Sequence, residues 1–306
     1  MKKPTMKEIA RRANVSVATV SYVLNNAPNQ TIPEKTRSLI HQIANELNFI
    51  PNLAARSLVK KRTGLVGILI NKHAEQPVWK RYSQHLFVDE LEQLLTAAGF
   101  HTLLISLDAS NPKLDVIAER KLEAAFLIDV KEDIFYSISN KFVEGVPLIL
   151  IDSLIDDTLF NQINYDYESA FQQAFRSLEP PYCLVMEHHH NQALVNKIKS
   201  ASGLTDEHIF IVKNVPDLAD YIRIAPFKSV VVINEMIGNY IERANLFEQL
   251  AVICTCSCPE ILSATTHKVV FQEEKSAVAF ELMKQLLHSA AQKPYKHNQF
   301  LIQAKV

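Results

Sequence analysis

Val15-Ser16-Val17-Ala18-Thr19-Val20-Ser21-Tyr22-Val23-Leu24-Asn25 reads as a short helix with a marked start. Ser16 is a natural N-cap, because its hydroxyl can accept an otherwise orphaned backbone N–H of the first turn. Val20, Val23 and Leu24 fall on one face. That leaves Val17, Ala18, Thr19, Ser21, Tyr22 and Asn25 pointing outward. Working upstream, Asn14 tolerates the left-handed backbone that a tight turn needs. Before it, Met6–Ala13 has an apolar face of Met6, Ile9, Ala10 and Ala13, and Thr5 with Glu8 three residues on predicts a capping box. Downstream, Pro33 suits a first helical position, and Leu39, Ile40, Ile43, Ala44 and Leu47 make a third helix amphipathic. Two short helices across a tight turn with a buttressing third form a helix-turn-helix unit, whose second helix enters the DNA major groove. Small residues at its start allow close approach. Val17 and Ala18 suit a thymine methyl, Tyr22 a base edge or phosphate, and Thr19 and Ser21 phosphate oxygens.

Charge supports the same reading. The chain has 306 residues and a formal net charge of −1. Residues 1–63 carry 11 Lys/Arg against 3 Asp/Glu, a surplus of +8, while the remaining 21 Lys/Arg and 30 Asp/Glu leave −9. A small basic head on a large acidic body places the polyanion partner at the head. Pro51–Thr63 is Ala-rich and ends in Lys60-Lys61-Arg62. It is too short to be a stable isolated helix but suited to folding against DNA. Leu58 there can act as a wedge between base steps of the minor groove, with Lys60, Lys61 and Arg62 near phosphates.

These residues resemble the lactose/galactose-repressor (LacI/GalR) family. The likeness is carried by Met6-Lys7-Glu8-Ile9-Ala10, by Val15 to Asn25, by Thr36-Arg37 and by Pro51-Asn52, Ala55-Arg56-Ser57-Leu58, dense over residues 4–67. The resemblance implies a transcriptional regulator, a repressor that binds a palindromic operator as a homodimer, with a tetramer as the larger alternative. It implies paired hinge helices in the minor groove, with Ala55 allowing their approach, Leu58 intercalating and Arg56 beside them. Val17, Ala18 and Tyr22 match base-reading positions, and Tyr22 stands where an arginine is more frequent. The DNA-contacting set expected is therefore Thr5, Val17, Ala18, Thr19, Ser21, Tyr22, Asn25, Ala55, Arg56, Leu58, Lys60, Lys61 and Arg62.

After Thr63 apolar strand-like runs alternate with helical stretches, the pattern of parallel sheets in open α/β domains. Behind this head the order resembles a two-lobed periplasmic-binding-protein-like sensor. The expected division is a helix-turn-helix domain at 1–50, a hinge at 51–63 and an effector-binding and dimerisation domain at 64–306. Within that domain, lobe one is expected at about 64–162 and 262–290, and lobe two at about 163–261 and 291–306. Ligands of such folds lie at the carboxyl ends of strands, which nominates Asn71, Trp79, Asp152, Asp166, His188, His190, Asn234 and Gln272 as effector contacts. Relatives carry a ligand-clamping arginine after the strand matching Tyr182–Glu187 and an acidic turn after a later one. Here stand His188-His189-His190-Asn191 and Cys254-Thr255-Cys256-Ser257-Cys258. An effector other than a simple sugar is therefore expected, and an anionic ligand would suit protonated histidines.

Other classes fit less well. Hydrophobic residues make up 48% and charged residues 21%, which excludes disordered and collagen-like chains. No apolar run reaches the length of a membrane span and no signal sequence is evident, so a cytoplasmic protein is expected. The four cysteines lack a zinc-knuckle spacing and read as small buried hydrophobes. No nucleophile elbow, P-loop, zinc-protease or dinucleotide motif is present, so neither catalysis nor a cofactor nor a metal is expected. The alternatives are a small-molecule-binding or enzymatic α/β protein with an accessory head, and a DNA-binding dimer whose body no longer senses an effector.

Overall fold

The computed structural model describes residues 4–24, 31–49, 62–72, 76–108, 115–288 and 298–305. The chain forms two compact units, Met1–Thr63 and Gly64–Val306.

In the first unit α1 (Met6–Ala13), α2 (Val17–Leu24) and α3 (Glu34–Glu46) enclose Ile9, Ala10, Ala13, Val20, Val23, Ile40, Ile43 and Ala44. Asn14 ends α1 at φ 52°, in the left-handed region its side chain tolerates. Ser16 Oγ accepts the Thr19 N–H at 3.0 Å, as a cap should. Two expectations are corrected. Thr5 makes no side-chain cap bond; its carbonyl takes the Glu8 and Ile9 N–H groups, and the Glu8 side chain lies nearest Arg11. Leu39 is 41% exposed. At 100° per residue it lies about 90° from the centre of the stripe formed by Ile40, Ile43, Ala44 and Leu47.

The second unit holds two all-parallel sheets. β1 (Leu65–Lys72), β2 (His101–Asp108), β3 (Ala124–Ile128), β4 (Leu148–Ile151) and β5 (Asn161–Tyr165) belong to the first. β6 (Tyr182–Glu187), β7 (Ile209–Val212), β8 (Ser229–Ile233), β9 (Gln249–Ile253) and β10 (His267–Val269) form the second. A last strand, β11 (Gln299–Ile302), returns to the first sheet, whose order is β11-β5-β4-β3-β1-β2; the second is β10-β9-β8-β6-β7. Ala124–Ile128, Leu148–Ile151 and Ser229–Ile233 are buried along their whole length, as strands covered on both faces must be. The coverings include α4 (Val78–Ala97), α5 (Asp115–Arg120), α6 (Glu132–Ser139), α7 (Tyr167–Phe175), α8 (Gln192–Ser202), α9 (Val215–Ile224), α10 (Glu235–Ala244) and α11 (Lys275–His288). Gly238 lets α10 approach its sheet, since a Cβ there would lie 2.7 Å from a Val252 methyl.

The expected lobe boundaries are corrected by this topology. Residues 163–165 and Gln299–Ile302 pair within the first sheet, and His267–Val269 joins the second. β5 reads as polar because Gln162 and Asn164 are buried on it to serve loops, bonding Ile155 and Ser153 backbone. Among the described residues the chain passes between lobes after Tyr165 and again near Phe271. These crossings touch, with the Tyr165 and Phe271 rings stacked 3.9 Å apart and Phe271 bridged to Ala304.

Candidate functional site

The head offers one face of α2. Val17 and Tyr22 are 42% and 41% exposed, Ala18 is exposed, and Thr19 and Ser21 are half-buried. Ser16 Oγ and Thr19 Oγ1 lie 2.9 Å apart at the helix start, so the first turn is held by its own hydroxyls. The apolar half of α2 is fixed by Val20 and Val23, both fully buried. The presented surface is thus small and uncharged, with the phenol of Tyr22 its largest polar group. Thr5 and Arg62 are exposed. Asn25, Ala55, Arg56, Leu58, Lys60 and Lys61 lie outside the described residues.

In the body, the strand order reverses at β1/β3 in one lobe and at β6/β8 in the other. Ligands of open α/β sheets bind outside such switch points. Asp129 follows β3 and Glu187 ends β6, so each lobe brings a buried carboxylate to its switch point. Lys80, in the first turn of α4, reaches both. Its Nζ is 3.0 Å from Asp129 Oδ2, 3.8 Å from Glu187 Oε2 and 3.5 Å from His189 Nδ1. Asn234 donates to Glu187 Oε1 at 3.3 Å, and the His190 backbone N–H donates to Asp129 Oδ1 at 2.9 Å. Beside this cluster Lys275 pairs with Asp152 at 2.7 Å and lies 4.0 Å over the Tyr165 ring.

The electrostatics follow from burial. Desolvation works to discharge the Lys80 ammonium, but Asp129, Glu187 and Asp152 outweigh it and its pKa is raised. Desolvation pushes the Asp129 carboxyl up to about 6 despite Lys80 and the His190 N–H. The asymmetry has a plain cause: the lysine faces three carboxylates, whereas Asp129 shares that lysine with its neighbours. Burial, with Lys80 next, lowers the His189 pKa well below the ordinary value, so the ring is neutral.

Asn191, fully buried, rivets the lobes. Its Oδ1 accepts the Leu154 and Leu194 N–H groups at 3.1 and 2.8 Å, and its Nδ2 donates to the Val130 and Leu154 carbonyls at 3.1 and 2.9 Å. Tyr165 donates across the cleft to the Thr255 carbonyl at 3.3 Å. The space left among these groups is about 40 Å³. That is room for two or three waters, against roughly 300–1,000 Å³ for ordinary small-molecule sites. Gln84 Nε2, Glu187 Oε2, His189 Nε2 and Thr255 Oγ1 have no hydrogen-bond partner among the described residues, and all four residues line this space.

The residues nominated from sequence are dispersed. Asp152 lines the cleft. Trp79 is buried in the apolar cluster of lobe two, with Cys183, Val185 and Leu218, although its helix belongs to lobe one. His188 and His190 stand edge-on, 5.2 Å apart, at a neighbouring opening of about 170 Å³ with Gln76, Trp79, Lys213 and Lys80, which lines both spaces. Asn71 bonds the Asp129 carbonyl, Asp166 caps α7, Asn234 caps α10, and Gln272 bonds the Ala304 carbonyl. None of these four lines the cleft cavity. Sequence reasoning missed Lys80, Asp129 and Lys275. A signal for Asp129 existed: it directly follows an apolar strand, where a carboxylate meets the ligand side of the sheet. The cysteines Cys254, Cys256 and Cys258 are buried and free. The Cys256 and Cys258 backbone N–H groups donate to the buried Glu235 carboxylate at 2.8 and 3.1 Å. No cluster of three or more metal-ligating side chains occurs among the described residues.

Residues 5–52 match the family described as bacterial regulatory proteins, lacI family. Catabolite control protein A of Staphylococcus xylosus is 30% identical over 174 residues, covering 55% of this chain and 50% of that one. Catabolite control protein B of Bacillus subtilis (strain 168) is 31% identical over 182 residues, covering 57% and 54%. The chain thus spans about half the length of the curated relatives it matches. In fold it is similar to the lac repressor dimer bound to operator and the anti-inducer ONPF, with TM-score 0.72, 14% identity and coverage of 99% and 97%. It is also similar to the transcriptional regulator CelR in its cellobiose complex, with TM-score 0.59, 16% identity and coverage of 99% and 98%. Residues 5–52 thus match the lacI family of bacterial regulatory proteins, and the chain as a whole shares the fold of the lac repressor.

Proposed function

We propose that this protein is a cytoplasmic, sequence-specific transcriptional regulator, a repressor that binds a palindromic operator as a homodimer and has no catalytic role. The observation that carries this is the outward face of α2, where Val17, Ala18 and Tyr22 stand exposed on a helix held by Ser16 and a buried Val20/Val23 edge. Such a face reads by shape and by methyl contacts, without the bidentate arginine–guanine pair that many readers use. The surplus of +8 over residues 1–63 supplies the phosphate attraction. Leu58, Ala55 and Arg56 would enter the minor groove and kink the duplex. The two-lobed body is the sensing part, and the small space left in its cleft supports an effector other than a hexose. Selection of bound duplexes from random DNA by the full chain tests this reading. A palindromic consensus supports it, and recovery of unrelated sequences overturns it.

The filled cleft favours one variation: a DNA-binding dimer whose body is closed without a metabolite. The opening lined by His188, His190 and Lys213 remains available to an anionic effector in either case.

A further inference from the structure

The ligand position of the body is already taken. An interlobe ligand must do two things: engage polar groups from both lobes, and exclude water between them. Lys80 does both. It arrives from lobe one on α4, and its ammonium bridges Asp129 of lobe one to Glu187 of lobe two, with His189 beside it. The side chains of Lys80, Asp129 and Glu187 are 7%, 1% and 6% exposed. The preceding residue, Trp79, seats its indole in the core of lobe two. A charged tip and an apolar plug thus cross the cleft side by side from one helical turn, with water-sized space left inside the cleft and the opening shared with His188 and His190 next to them.

We propose that Lys80 is a tethered ligand: its ammonium occupies the effector position between Asp129 and Glu187 and holds the two lobes closed without any small molecule. The site is therefore built for a primary ammonium rather than for a neutral sugar. This rests on reading the cleft as the sensing part of the body; it is independent of the DNA-binding reading, and its test uses no DNA.

Trp79 is the only tryptophan in the chain and sits at the closure contact, so its emission reports closure directly. In full-length Lys80→Ala the missing atoms are three methylenes and an ammonium, which n-propylamine supplies; n-propanol is the neutral control. Lys80→Ala is expected to shift Trp79 emission to the red and to raise acrylamide quenching severalfold. Millimolar n-propylamine should reverse most of both changes, and equimolar n-propanol should not. Unchanged emission and quenching in a variant with parental far-ultraviolet circular dichroism would overturn the proposal. Equal reversal by n-propanol would also overturn it, since packing alone would then account for closure. Should Lys80→Ala fail to fold, Glu187→Gln carries the test, because it weakens only the lobe-two end of the bridge. A red shift with increased quenching supports the proposal, and parental values overturn it.

Discussion

Replacing Asn191 by aspartate probes the interlobe rivet without changing side-chain volume. The native amide spends both acceptor and both donor capacities, two bonds on Leu154, one on Val130 and one on Leu194. In Asn191→Asp the two accepted bonds survive. The two donated bonds are lost, and an oxygen faces the Val130 carbonyl in a buried site and the Leu154 carbonyl in a half-buried one. A lost net hydrogen bond is worth about 1 kcal/mol, and a buried group left unsatisfied costs about 1–3 kcal/mol. Two such losses, partly relieved by relaxation, give about 2–5 kcal/mol at neutral pH. The sign of the pH dependence is fixed as well. The introduced carboxyl, fully buried and facing two carbonyls, has a folded-state pKa above its unfolded value. Protonation restores one O–H donor, so the deficit against the parent shrinks as pH falls below the folded pKa and is full above it. Urea unfolding at pH 7.5 and pH 5, followed by Trp79 emission and circular dichroism, measures both. A deficit below about 0.5 kcal/mol at pH 7.5, within the range of inconsequential substitutions, would refute the rivet.

Three further outcomes are expected. Asp129 should titrate near 6 rather than near the ordinary 3.9. Its raised folded-state pKa means that the stability it contributes is present below about pH 4 and is lost as pH rises through 6; a carboxyl carbon-13 titration with its midpoint at 4 or below contradicts this. Operator affinity should fall linearly on a log–log plot against salt, by about 0.9 per phosphate neutralised, and affinity indifferent to salt would remove the basic head from the interface. Leu58→Ala should weaken operator binding by about 2 kcal/mol, roughly thirtyfold, and reduce the bend seen in gel mobility. Parental bending would make residues 51–63 a tether only.

What was legible in the sequence was local. Asn14, Ser16 and the spacing of Val20 and Val23 fix α1 and α2 within a few bonds of the chain, and both helices fall where those signals place them. Long apolar strands were equally plain. β5 was not, because Gln162 and Asn164 are buried polar residues serving loops, so the strand reads as linker. Of the cleft, Asp152 was legible from its place at a strand end, and most of the rest only by departures. The stretch after β6 carries no arginine clamp, and the structure supplies a physical reason: Asn191 and His189 turn inward to hold the other lobe. The cation opposite them comes from Lys80, more than a hundred residues away in sequence. Nothing local distinguishes that lysine from a solvated one in a helical first turn. Its role appears only when Asp129 and Glu187 converge from two different sheets.

The most direct test is the binding of the full chain, with no small molecule added, to a palindrome recovered by selection, to a version with one half-site scrambled, and to unrelated DNA. Fluorescence anisotropy at moderate salt gives the three affinities, and light scattering gives the stoichiometry. Two copies per palindrome are predicted, with an affinity at least about a thousandfold above that for unrelated DNA and a large loss on scrambling one half-site. Equal affinity for all three duplexes, or one copy bound per palindrome, would contradict the assignment of this protein as a dimeric operator-binding regulator.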